Sequence, residues 1–180
     1  MALLDEILED NRKVAGPGKD PGSYIAHRHL CIVTCVDPRL THFFGSALGV
    51  ERGHAVALRV PGARIAPGSE LMRALAASVY VNDCQEILVI PHTDCGVASV
   101  GGTELRRVMR ARGVADADIP QDPGAFFGLV PDVREGARET VRAIRASPFL
   151  PRHIPVHAAL MDIRTGALEV IERGYDHVFG

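Results

Sequence analysis

Two short apolar runs constrain this chain more than any other feature. They are Leu30-Cys31-Ile32-Val33-Thr34 and Glu86-Ile87-Leu88-Val89-Ile90-Pro91. Both are rich in β-branched residues with almost no polar interruption, the pattern of a strand buried on both faces of a parallel sheet. A further strand is predicted over His54 to Val60 and a fourth over Val156 to Ile163. Arg164-Thr165-Gly166 then reads as a hairpin turn, with a return strand over Ala167 to Glu172. Helical patterns fall between the strands. Strands alternating with helices give an α/β fold with a mostly parallel sheet, to which the hairpin adds an antiparallel edge strand.

The helices have local signatures. Thr41 to Leu48 is short and ends near Gly49. Ser69 to about Val81 carries an apolar stripe of Leu71, Met72, Leu75 and Val79, with Ser69 as N-cap and Glu70 in the first turn. Another helix spans about Thr103 to Arg112, after Gly101-Gly102. Asp132-Val133-Arg134-Glu135 resembles a capping box and opens a helix to about Ala146. Its Val133, Ala137, Val141 and Ile144 face the core, and Glu135 with Arg138 and Glu139 with Arg142 pair outside. Residues 113–131 read mostly as loop, in which the adjacent Phe126 and Phe127 call for a partner surface. Near the N-terminus, Leu3, Leu4, Ile7 and Leu8 recur at helical spacing from about Ala2 to Lys13. So short a helix is marginal alone and needs its own core or a second subunit to pack on.

One domain over residues 1–180 is expected, with 1–22 forming a helical arm and a Gly/Pro linker. A net charge of -2 gives no reason to expect nucleic acid or an anionic membrane as partner. No apolar stretch reaches the roughly 18 residues of a membrane span. Asp5 and Glu6 stand where a signal peptide needs bases, so the expected location is cytoplasmic. In that compartment Cys31, Cys35, Cys84 and Cys95 are metal ligands or core residues rather than disulfide partners.

The chemistry lies just past the strands. Cys35-Val36-Asp37-Pro38-Arg39 follows the first run and His92-Thr93-Asp94-Cys95-Gly96 follows the other. In open parallel sheets ligands bind at the C-terminal ends of strands, where strand order reverses. Cys35, His92 and Cys95 supply two thiolates and an imidazole, a set that suits Zn²⁺. Three protein ligands leave a fourth position for water, whose pKa the metal lowers. Cys31 lies too far along its strand to share that metal, and Cys84 precedes its strand, so both read as core residues. Nothing selects a ligand or proton shuttle among His27, His29, His42, His54, His153, His157 and His177.

Cys-x-Asp-x-Arg after one strand and His-x-x-Cys after another resemble the β-class carbonic anhydrases. The resemblance runs from the first strand to the C-terminal strand. It implies sheet order 2-1-3-4, zinc held by Cys35, His92 and Cys95, and hydration of CO₂ to bicarbonate by a zinc-bound hydroxide. Asp37 and Arg39 match the family's catalytic pair. In one state Asp37 pairs with Arg39 and orients the hydroxide; in a closed state Asp37 becomes the fourth ligand. The resemblance also implies a homodimer or larger homo-oligomer, and the N-terminal helix and Phe126-Phe127 are the interface candidates. One departure stands out. Many family members have Arg-Asn-x-Gly where this chain has Arg59-Val60-Pro61-Gly62. Two rival readings keep the metal. Hydrolases of carbonyl sulfide or carbon disulfide resemble the same family, and a non-catalytic zinc sensor or assembly protein would hold zinc with four protein ligands.

Overall fold

A computed structural model of the chain describes residues 3–16, 18 and 22–178. The N-terminal half holds α1 (Leu3–Val14), β1 (Leu30–Thr34), α2 (Phe43–Leu48), β2 (Ala55–Arg59), α3 (Glu70–Tyr80) and β3 (Glu86–Ile90). Then follow α4 (Gly96–Ser99), α5 (Gly102–Ala111), α6 (Pro123–Phe127), α7 (Val133–Ala146), β4 (Val156–Met161), β5 (Leu168–Glu172) and α8 (Tyr175–Val178). The five strands form one sheet in the order β2-β1-β3-β4-β5. The first four run parallel and β5 is antiparallel to β4. This is the sheet expected from the sequence.

Alternation along β1 and β3 divides the core in two. Cys31, Val33, Ile87 and Val89 face α3 and α7, where Met72, Leu75, Val141 and Ile144 cover them. Ile32 and Ile90 face the other way, toward Leu40, Met161 and the partly buried Phe43, Phe44 and Leu48 around α2. Apart from the partly buried Leu30 and Leu88, both faces of β1 and β3 are covered along their apolar positions, so their sequences show little alternation of apolar with polar residues. Cys31 and Cys84 both lie in the α3/α7 layer, away from Cys35 and Cys95 in the opposite layer.

Several local expectations need correcting. The stretch read as one helix from Thr41 is a 3₁₀ turn at Pro38–Leu40 followed by α2, because Thr41 is extended and His42 has φ 67°. Phe126 and Phe127 lie on a short helix, not in a loop. Asp122 caps it by accepting from the Ala125 amide, and Pro123 fills its first turn. Ser69 occupies the N-cap position of α3, but its hydroxyl donates to the Ala66 carbonyl instead of capping. Asp132 does cap α7, through the amides of Arg134 and Glu135. Glu135 does not complete the box and pairs with Arg138 and Arg142. Glu139 pairs with Arg64 rather than with Arg142. Part of the expected linker, at positions 17 and 19–21, lies outside the described residues.

Candidate metal centre

The register of the sheet builds this site. Thr34 at the end of β1 pairs with Ile90 at the end of β3. Cys35 follows Thr34 directly and His92 follows Ile90 by two residues, so both leave the same end of neighbouring strands. A bridge between His92 and Met161 extends the β3–β4 pairing past Pro91 and fixes the His92 backbone at the C-terminal end of the sheet. Cys95 then occupies the N-cap position of the short helix α4. The two sulfurs stand 3.7 Å apart. The ligand atoms of Cys35, His92 and Cys95 all lie within 4.8 Å of one another, and all three residues are buried. Among the described residues no other group of His, Cys, Asp and Glu meets that test; none of the remaining histidines joins it.

The donor set fits a thiophilic cation. His92 Nδ1 donates to the Thr93 carbonyl at 2.8 Å, which leaves Nε2 with its lone pair. That Nε2 is buried and has no hydrogen-bond partner among the described residues. A desolvated lone pair beside two sulfurs is costly unless something electropositive meets it. One of the two thiols leans toward ionisation and the other holds the shared proton. Cys35 is drawn down to about 4 by the Cys95 thiol that donates to it, against the cost of burial, with help from His92 and the amides of Asp37 and Gly62. Cys95 is pushed up for the complementary reason, because its proton lies between the two sulfurs. The amides of Val97 and Ala98, at the start of α4, nonetheless favour its anionic form. Burial alone would lower His92, but the Cys35 sulfur, the Thr93 carbonyl and Asp37 together raise it.

Asp37 stands at the rim of this triangle, with Oδ2 3.7 Å from His92 Nε2 and its side chain 12% exposed. Arg39 grips it twice, Nε to Oδ1 at 3.0 Å and Nη2 to Oδ2 at 2.8 Å. The Arg39 amide adds a third bond, to Oδ1 at 2.9 Å. These bonds hold the Asp37 carboxyl down at about 2, Arg39's side chain being the largest cause. Its folded value therefore lies below its unfolded one. The stabilisation is present above the ordinary carboxylate range and is lost as the pH falls toward about 2. In metal-free Arg39→Ala protein the Asp37 carboxyl is expected to titrate back toward the ordinary range by carbon-13 NMR. An unchanged low value would show that Arg39 is not what holds it.

Two arginines, not one, organise the loop after β1. Arg59, at the end of β2, reaches across with Nε to the Cys35 carbonyl at 3.1 Å and Nη2 to the Asp37 carbonyl at 2.6 Å. Its Nη1 also meets Thr41 Oγ1 at 3.1 Å. One guanidinium thus staples the backbone on both sides of Val36. The turn after Arg59 keeps its shape despite Val60-Pro61. Gly62 takes φ 61° and still offers its amide to Cys35. Sequence reasoning missed the Arg59 staple because its partners are backbone carbonyls more than twenty residues away. It also missed Asp94 as a partner of Arg39, to which Nη1 donates at 2.7 Å. The one available signal was an acid between two ligand positions.

No family model matches the chain. A solved β-carbonic anhydrase, isoform I of the protozoan Trichomonas vaginalis, superposes with a TM-score of 0.90 at 31% identity over 97% of this chain and 100% of that one. β-Carbonic anhydrase 1 of Mycobacterium tuberculosis is 27% identical over 172 residues, covering 95% of this chain and 99% of that protein. A carbon disulfide hydrolase of Acidithiobacillus thiooxidans is 26% identical over 160 residues, covering 79% of this chain and 72% of that protein. Identity and shape agree along nearly the whole length, and the chain belongs to the β-carbonic anhydrase family.

Proposed function

We propose that this chain catalyses the reversible hydration of CO₂ to bicarbonate at a zinc ion held by Cys35, His92 and Cys95. The observation that supports this reading best is the Asp37–Arg39 pair beside a three-ligand cluster. A purely structural zinc has no use for an ionised carboxylate held off the metal by its own guanidinium. When bound, zinc supplies Lewis acidity and makes a nucleophile available from water near neutral pH.

The chain's own groups supply the rest. Asp37, kept anionic by Arg39, can only accept hydrogen bonds. It therefore fixes the O–H direction of water at the site and leaves an oxygen lone pair free for the carbon of CO₂. Hydration forms one C–O bond, opens one C=O bond, and releases a proton to buffer. Arg59 keeps Asp37 in place by holding the carbonyls on either side of Val36. Four free cysteines fit a reducing compartment such as the cytoplasm. Among the described residues no helix is long and apolar enough to cross a membrane.

Stopped-flow CO₂ hydration by zinc-loaded protein at mildly alkaline pH tests the reading. Fast hydration supports it; none at full zinc occupancy overturns it. Carbon disulfide and carbonyl sulfide belong in the same assay, because a carbon disulfide hydrolase is among the relatives and the Val60-Pro61 turn departs from the common pattern.

The same reading makes the protein a homodimer or larger assembly. No residue of α1 is buried, and Leu3, Leu4, Ile7 and Leu8 are exposed along one side of it. A groove of about 380 Å³ lies on the sheet between Leu30, Leu88, Leu168 and Val170, the last 63% exposed. An unpartnered amphipathic helix and an uncovered sheet face on one chain complement each other between two copies. Removing residues 1–14 is expected to convert the assembly to monomer by light scattering. An unchanged mass would place the contact elsewhere.

A further inference from the structure

Arg39 is held from two sides. On one side is Asp37. On the other, Nη1 donates to Asp94 Oδ2 at 2.7 Å and Nη2 to the Asp94 carbonyl at 2.7 Å. The two sets do not compete. Asp37 takes Nε and one Nη2 proton, whereas Asp94 takes Nη1 and the other Nη2 proton. The backbone is shaped for this. Asp94 has φ 54°, a left-handed conformation uncommon for a side-chain-bearing residue, and from it both its carbonyl and its carboxylate reach one guanidinium. Asp94 also lies between His92 and Cys95, and Arg39 lies four residues past Cys35. The guanidinium therefore ties together the two loops that carry the whole ligand set.

We propose that Asp94 is a positioning residue: by anchoring Arg39 it keeps Asp37 on the guanidinium and away from the fourth position of the metal. This rests on the zinc reading above. Arg39 is half-exposed, with 47% of its side chain accessible. An unanchored arginine of that exposure would lose much side-chain freedom each time it paired with Asp37. With Asp94 in place that freedom is already spent, and the Asp37 pair forms without the loss. The pair between Asp94 and Arg39 is itself exposed, so its effect on the balance is modest.

The test compares zinc-loaded wild type with Asp94→Gly and Asp94→Asn. Glycine accepts the positive φ without strain and removes the carboxylate. Asparagine tolerates the same conformation and keeps one side-chain acceptor. For Asp94→Gly, kcat for CO₂ hydration is expected to fall about two- to fivefold with KM little changed, in keeping with one exposed ion pair. Zinc release to excess chelator is expected to slow, because Asp37 spends more time as a fourth ligand. Asp94→Asn falls between the two. The direction of zinc release decides the matter. If Asp94 merely braced its loop, losing it would loosen the ligands and speed release. Faster release, or unchanged release with unchanged kcat, overturns the proposal. Metal analysis and hydration by the wild type come first: failure there overturns the zinc reading itself and is seen before any variant is compared.

Discussion

His92→Ala is expected to purify as folded protein without stoichiometric zinc and to hydrate CO₂ no faster than buffer. The imidazole is fully buried, and its Nε2 is the one nitrogen in the three-ligand cluster. Losing an outer partner of a metal ligand costs roughly 10- to 100-fold in affinity, and losing the ligand itself costs more. Folding should survive, because the variant also removes a buried nitrogen that has no hydrogen-bond partner among the described residues. The two sulfurs left 3.7 Å apart should then react as a vicinal pair with thiol reagents or oxidants. Metal analysis and thiol titration on one sample check both halves. Full zinc occupancy in this variant would show that the ligand set is wrong.

Asp37→Asn is the complementary experiment, and the expected result is the reverse for metal. Zinc content stays at wild-type level while CO₂ hydration falls by about 10²- to 10³-fold, the range for losing one preorganised hydrogen bond to the reacting group. The amide is nearly isosteric, but it presents an N–H₂ where the carboxylate offers only acceptors. It also weakens the double grip of Arg39, whose Nε and Nη2 both depend on carboxylate oxygens. Stopped-flow rates beside zinc stoichiometry separate the roles. Loss of zinc together with activity would make Asp37 a standing ligand. Retention of activity would remove it from the chemistry.

Much of this was legible because both facts that place the site are local in sequence. Leu30 to Thr34 and Glu86 to Ile90 announce buried strands by composition, and the proposed ligands follow each strand within a few residues. What stayed hidden depends on contacts between distant segments. The bond from Arg39 to Asp94 spans 55 residues, and nothing in Thr-Asp-Cys tells a loop cap from a guanidinium anchor. The Arg59 staple ends on carbonyls, which every residue carries. The break between the 3₁₀ turn and α2 depends on a positive φ at His42, a residue type that gives weak warning of it. Helix α6 is five residues long, too short for periodicity to reveal.

The parallel pairing of β1 with β3 has a consequence for when the metal can act. Cys35 and Cys95 are 60 residues apart in sequence, and parallel neighbours meet only after a complete crossover has formed between them. Such non-local pairing is the slow part of assembling a chain of this kind. No partial structure short of that step presents the two sulfurs and the imidazole together. On the zinc reading, an ion is therefore expected to bind the complete site late in folding. Such an ion is expected to slow unfolding more than it speeds folding.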